Sequence, residues 1–132
     1  MKLLLSVYAI VTAIFGILAF VVPATVISWY SPLPADAVAE TGFRLGGSLG
    51  IGIAMLAWYA RNSDSKARRV VVLTVALTNA LGCIAAFIAA TSGAFNGAAW
   101  FEVVSYALWT IAFILVQRYK KTPVTMPRPR RS

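Results

Sequence analysis

Residues 40–61 read ETGFRLGGSLGIGIAMLAWYAR. Between Glu40 and Arg61 lies one apolar run with five glycines and a single arginine, Arg44. In water each interior glycine costs a helix about 1 kcal/mol relative to alanine. In lipid the backbone has no other hydrogen-bond partner, so a glycine-rich helix persists. Whether this run is a helix in water or in lipid decides the fold.

Composition favours lipid. The chain has 132 residues, 60% of them hydrophobic and 12% charged. Soluble domains average roughly 45–50% and 25%. Three more segments have the length of about 20 apolar residues that a spanning helix needs. The four spans are about 3–22, 41–60, 70–90 and 99–117, the first stopped or kinked at Pro23. Lys2 before an apolar run resembles a secretory signal, but the run exceeds the usual 7–15 residues of such a segment. It reads as a first span. The expected fold is an all-α antiparallel bundle of four transmembrane helices over residues 1–121, followed by a basic, proline-containing tail at 122–132.

Orientation follows from the basic residues. Lys2 precedes span 1. Arg61, Lys66, Arg68 and Arg69 separate spans 2 and 3. Arg118, Lys120, Lys121, Arg128, Arg130 and Arg131 follow span 4. The connections 29–40 and 91–98 hold no Lys or Arg, so every basic residue except Arg44 falls on one side. The positive-inside bias places both termini and the 61–69 loop in the cytoplasm. Trp29, Tyr30 and Trp100 mark the outer interface, and Trp58, Tyr59 and Tyr119 the inner one. The net charge of +8 therefore reads as topology and contact with anionic lipid at the cytoplasmic face, not as a nucleic-acid surface.

The parts for chemistry are few. There is no histidine, one cysteine (Cys83) and four carboxylates: Asp36, Glu40, Asp64 and Glu102. No disulfide, CxxC redox pair, metal site, catalytic constellation or cofactor site is expected from this set.

Gly42, Gly46, Gly50 and Ala54 recur every fourth residue and form one seam along span 2. Small residues let helix backbones approach closely in lipid. The seam packs within this chain or against a second copy or another membrane protein. In span 3, Asn79 lies about 13 Å from the inner end at 1.5 Å per residue, so it should face protein with Gly82. Thr74 and Thr78 can bond back to their own helix.

Arg44 lies about 24 Å and Glu102 about 22 Å above the inner boundary. Equal depth and opposite charge predict an Arg44–Glu102 pair, with Glu40 one turn from Arg44 as a second partner. The pair either joins spans 2 and 4 or forms an outward mouth for an anionic ligand, lipid or quinone; otherwise the two residues face the outer interface independently. Tyr106, Trp109 and Phe113 follow Glu102 at helical spacing and form an aromatic face expected beside the glycine seam.

FGILAFVVP at 15–23, FRLGGSLGIG at 43–52 and AWYARNSDSKARR at 57–69 resemble, in layout, small four-helix bacterial inner-membrane proteins of the DoxX-like kind. That resemblance implies a four-span fold and no particular activity. Span 1 has no embedded glutamate of the small multidrug transporter type, and the cysteine pairs of quinone-linked thiol enzymes are absent. The expected function is that of a non-enzymatic inner-membrane protein, a homo-oligomer or an accessory subunit. The alternative is a small-molecule binder or transporter.

Overall fold

The computed structural model describes residues 1–93 and 95–119, and these contain five helices: α1 (Lys2–Val21), α2 (Pro23–Tyr30), α3 (Ala37–Ala60), α4 (Ser65–Thr91) and α5 (Ala99–Tyr119). The basic residues of the tail, Lys120, Lys121, Arg128, Arg130 and Arg131, lie outside the described residues.

Local chemistry sets the helix ends. Proline disfavours helical backbone at the residue before it, and Val22 accordingly leaves the helix at φ −127° and ψ 56°. Pro23 then starts α2, where its missing N–H is no loss. Asp36 caps α3 by accepting from the Ala39 N–H at 2.7 Å. Asp64 caps α4 by accepting from the N–H groups of Lys66 and Ala67 at 2.8 and 2.9 Å. Beyond α4, Gly93 adopts φ 76°, a left-handed conformation that suits glycine. The helices outrun the apolar spans: α3 starts before Thr41 and α4 before Val70.

Two antiparallel pairs make up the architecture. α3 packs along α1, with Gly47 against Gly16 and Phe20 at mid-length and Arg61 against Ser6 at the end. α5 packs along α4, with Tyr106 against Gly82 and Cys83 Sγ 3.5 Å from the Val103 carbonyl. The pairs meet in one buried cluster: Leu5, Tyr8 and Ala9 of α1, Ala57 and Ala60 of α3, Val72, Val75 and Ala76 of α4, and Phe113 of α5. This cluster lies at the end that carries Met1 and the 61–64 turn.

Many large apolar side chains outside it point away from the protein, although Val26 and Ile27 of α2 are buried. Val38 is 82% exposed, Leu49 68% and Leu108 62%. Three helices, α1, α4 and α5, are long and apolar enough to cross a membrane, with mean hydropathies of 2.5, 2.2 and 1.8. α3 has the length, at 24 residues, but its glycines, Ser48 and Arg44 dilute its apolarity.

Candidate functional site

The glycines of α3 divide by face. A Cβ on Gly47 would lie 2.6 Å from the Gly16 carbonyl oxygen and 2.8 Å from the Phe20 nitrogen. Gly16 meets the same limit from the other side, at 2.9 Å from the Gly47 carbonyl oxygen. Backbone therefore rests on backbone, an approach only glycine permits. Gly50 lies beside Gly16 at ordinary contact distance, and Ala54 and Ala57 are buried below it. The seam against α1 is thus Gly47, Gly50, Ala54 and Ala57. The expected seam enters it only at Gly50 and Ala54. Gly42 and Gly46, like Gly52, have nothing within 4 Å of an added Cβ. They turn away because α1 sits to one side of the fourfold stripe.

The expected Arg44–Glu102 pair is replaced by two other contacts. Arg44 donates to Glu40, one turn back on its own helix, at 3.3 Å. Both side chains are partly exposed, so this pair contributes little, in the range of about 0.3–0.5 kcal/mol for such helix pairs. Glu102 instead accepts from the Tyr30 hydroxyl in a short hydrogen bond. The reason is helix order. α3 packs on α1 and α5 on α4, so equal depth does not make Arg44 and Glu102 neighbours. Tyr30, at the end of α2, lies beside the first turn of α5. Burial, and then Glu102, push the Tyr30 hydroxyl upward in pKa, which keeps it a donor.

Asn96 completes this clasp. Its N–H donates to the Tyr30 carbonyl at 2.7 Å, and its Nδ2 donates to the Trp29 carbonyl at 3.1 Å. Its Oδ1 accepts from the Ala98 N–H at 2.8 Å. One asparagine thus ties the 92–98 connection to the open end of α2. Nothing local to Asn96 names these distant acceptors.

Asn79 is buried at 2% exposure and faces α1. Its Nδ2 donates to the Tyr8 hydroxyl at 3.0 Å and to the Val75 carbonyl at 2.8 Å. Tyr8 also receives the aromatic face of α5. Trp109 and Phe113 meet its ring edge-on at 5.1 and 5.2 Å between centroids, a favoured aromatic geometry. Tyr106 lies over Gly82, whose added Cβ would meet the ring at 3.1 Å. The aromatic face therefore packs on Tyr8 and Gly82, not on the glycines of α3. Thr74 and Thr78 bond back to the carbonyls of Val70 and Thr74, each at 3.0 Å.

At the basic end two arginines have internal roles. Arg68 donates to the carbonyls of Ala60, at 3.3 Å, and of Ser63, and so closes the C-terminus of α3. The Arg61 guanidinium lies 3.3 Å from the centre of the Trp58 ring and donates to Ser6 Oγ at 3.3 Å. Asp64 is held below the usual carboxylate range by the N–H groups of Ala67 and Lys66. No group of three or more His, Cys, Asp or Glu that could hold a metal occurs among the described residues.

These features define a helical protein with three helices fit to cross a membrane and one buried amide among them. The chain belongs to the family described as a domain of unknown function (DUF8292), whose model matches residues 1–117. No curated protein and no solved structure matches it.

Proposed function

We propose that the chain is a four-span protein of the bacterial inner membrane with both termini in the cytoplasm, acting as a non-enzymatic packing subunit in a homo-oligomer or larger membrane complex. The observation that carries this reading is the outward face of α3. This helix is not among the three that are long and apolar enough to cross a membrane, yet Gly42, Gly46 and Gly52 stand open on it beside exposed Leu45, Leu49 and Leu56. Small residues in lipid favour helix contact through dispersion at close range. The intramolecular seam at Gly47 lies to one side of this face, which is left open for a neighbour. The fourth crossing is supported by the length of α3 and by its antiparallel packing on α1. The orientation is supported by the bias of basic residues, and the bacterial inner membrane by the DoxX-like layout.

Purification in mild detergent, with mass spectrometry of whatever co-purifies, tests the proposal. The expected result is a discrete oligomer or a stoichiometric membrane partner. A lone monomer with no partner overturns it. The alternative of an outward Arg44–Glu102 mouth for a small molecule draws no support from the geometry, because the two residues bind different partners.

A further inference from the structure

The α4–α5 pair carries a second feature, at the basic end. Leu73 and Ala76 of α4 and Phe113 and Ile114 of α5 line a half-open groove of about 200 Å³, and Gln117 and Arg118 complete it one turn nearer the helix end. Gln117 Nε2 donates to the Arg69 carbonyl at 3.4 Å and ties the two helices together there. Its walls are apolar and its end is cationic.

Among the described residues the charge at this end is not internally balanced. Lys2, Arg61, Lys66, Arg68, Arg69 and Arg118 face one carboxylate, Asp64, which is engaged with backbone N–H groups. Among the described residues the one ion pair is Arg44–Glu40, at the other end of the molecule. Arg61 and Arg68 are held by a ring and by carbonyls. Arg118 has no acidic partner among the described residues.

We propose that this groove binds one anionic phospholipid of the surrounding leaflet. An acyl chain lies along Leu73, Ala76, Phe113 and Ile114, and the headgroup phosphate pairs with Arg118. A free anion would gain nothing from the apolar walls, and a zwitterionic lipid would gain less from the uncompensated positive charge. One arginine at an anionic membrane surface contributes about fivefold in binding. The proposal rests on the chain residing in a bilayer. A topology assay tests that residence separately, so the two can fail independently.

The test uses the full chain, delipidated in mild detergent and titrated with phosphatidylglycerol or phosphatidylcholine of identical acyl chains. Bound lipid is read by native mass spectrometry. The unsubstituted chain should bind phosphatidylglycerol about fivefold more tightly. Arg118→Gln should abolish that preference and leave phosphatidylcholine binding unchanged. Leu73→Trp, at a half-exposed wall position, should weaken both lipids alike. Ile114→Trp fills the same groove independently and should act in the same way. Arg44→Gln, at the other end, should change nothing. A preference that survives Arg118→Gln overturns the headgroup assignment. Unchanged binding in both groove-filling variants overturns the acyl site. Equal competition by glycerol phosphate, which has no acyl chain, shows binding of an anion alone and also overturns the proposal.

Discussion

Gly46 and Gly47 are adjacent in sequence, and the structure predicts opposite signs for the same substitution at each. In Gly47→Ala the new Cβ would sit 2.6 Å from the Gly16 carbonyl oxygen, against an ordinary contact of at least 3.4 Å. The helices must part by about 0.8 Å to admit it. Both close atoms are backbone, so no side chain can rotate away. Overpacking of this kind costs typically about 1–3 kcal/mol, and a backbone clash belongs at the upper end. The propensity gain of alanine over glycine returns at most about 1 kcal/mol. The net expectation is a loss of about 2 kcal/mol. Gly46→Ala meets nothing within 4 Å, so only the propensity gain of up to about 1 kcal/mol applies in the isolated chain. Unfolding by a denaturing detergent in mixed micelles, at a dilution that keeps the chain monomeric, would measure both. Equal stability of the two variants, or Gly46→Ala as the weaker, refutes the assignment of Gly47 to the α1 contact. Gly16→Ala combined with Gly47→Ala should cost less than the sum, because one separation relieves both clashes.

Tyr30→Phe removes the partner of Glu102 and should cost about 1.5 kcal/mol, the low end for a hydrogen bond to a charged group; an unchanged unfolding midpoint would argue against the clasp. In a double-mutant cycle on folded yield, Arg44→Ala and Glu102→Ala should be additive, since they share no contact, and a measurable coupling would restore the direct pair. Asn79→Ala removes the amide that donates to the Tyr8 hydroxyl in the core and should destabilise by about 0.5–1.5 kcal/mol, read as a lower thermal midpoint in detergent. Because Asp64 is depressed in pKa, its contribution is present above its unfolded pKa and disappears as pH falls through the folded one. Amide exchange at Lys66 and Ala67 should therefore gain an acid-sensitive component in the native chain, and Asp64→Asn should remove it while keeping the cap.

How much of this was legible in the chain depends on range. Pro23, Asp36 and Asp64 act on their own backbone within three residues, so the starts of α2, α3 and α4 carry local signals. Burial of Asn79 follows from the cost of an unpaired amide in lipid, which depends on depth alone. Tyr8 receives Asn79, Trp109 and Phe113 together, yet a tyrosine in an apolar first span carries no mark of what will pack on it. Arg68, by its place in the chain, reads only as a topology charge. Its role on the Ala60 and Ser63 carbonyls depends on the turn at 61–64 bringing α4 back under α3.

Residue order alone makes the chain helical and strongly apolar, with its positive charge concentrated beside particular helix ends. Hydropathy and charge are sums over consecutive residues, and they need no knowledge of neighbours. Which face of each helix touches which partner is set by packing. The run at 40–61 contains two seams: Gly42, Gly46, Gly50 and Ala54 on one stripe, and Gly47, Gly50, Ala54 and Ala57 on another. Each is a sound helix contact by spacing. The choice between them is a rotation about the helix axis, set by where α1 lies. Depth offered Arg44 to Glu102, and α2 supplied Tyr30 instead. Depth along a helix is a one-dimensional quantity, whereas rotation and helix order arise only when all the surfaces pack at once.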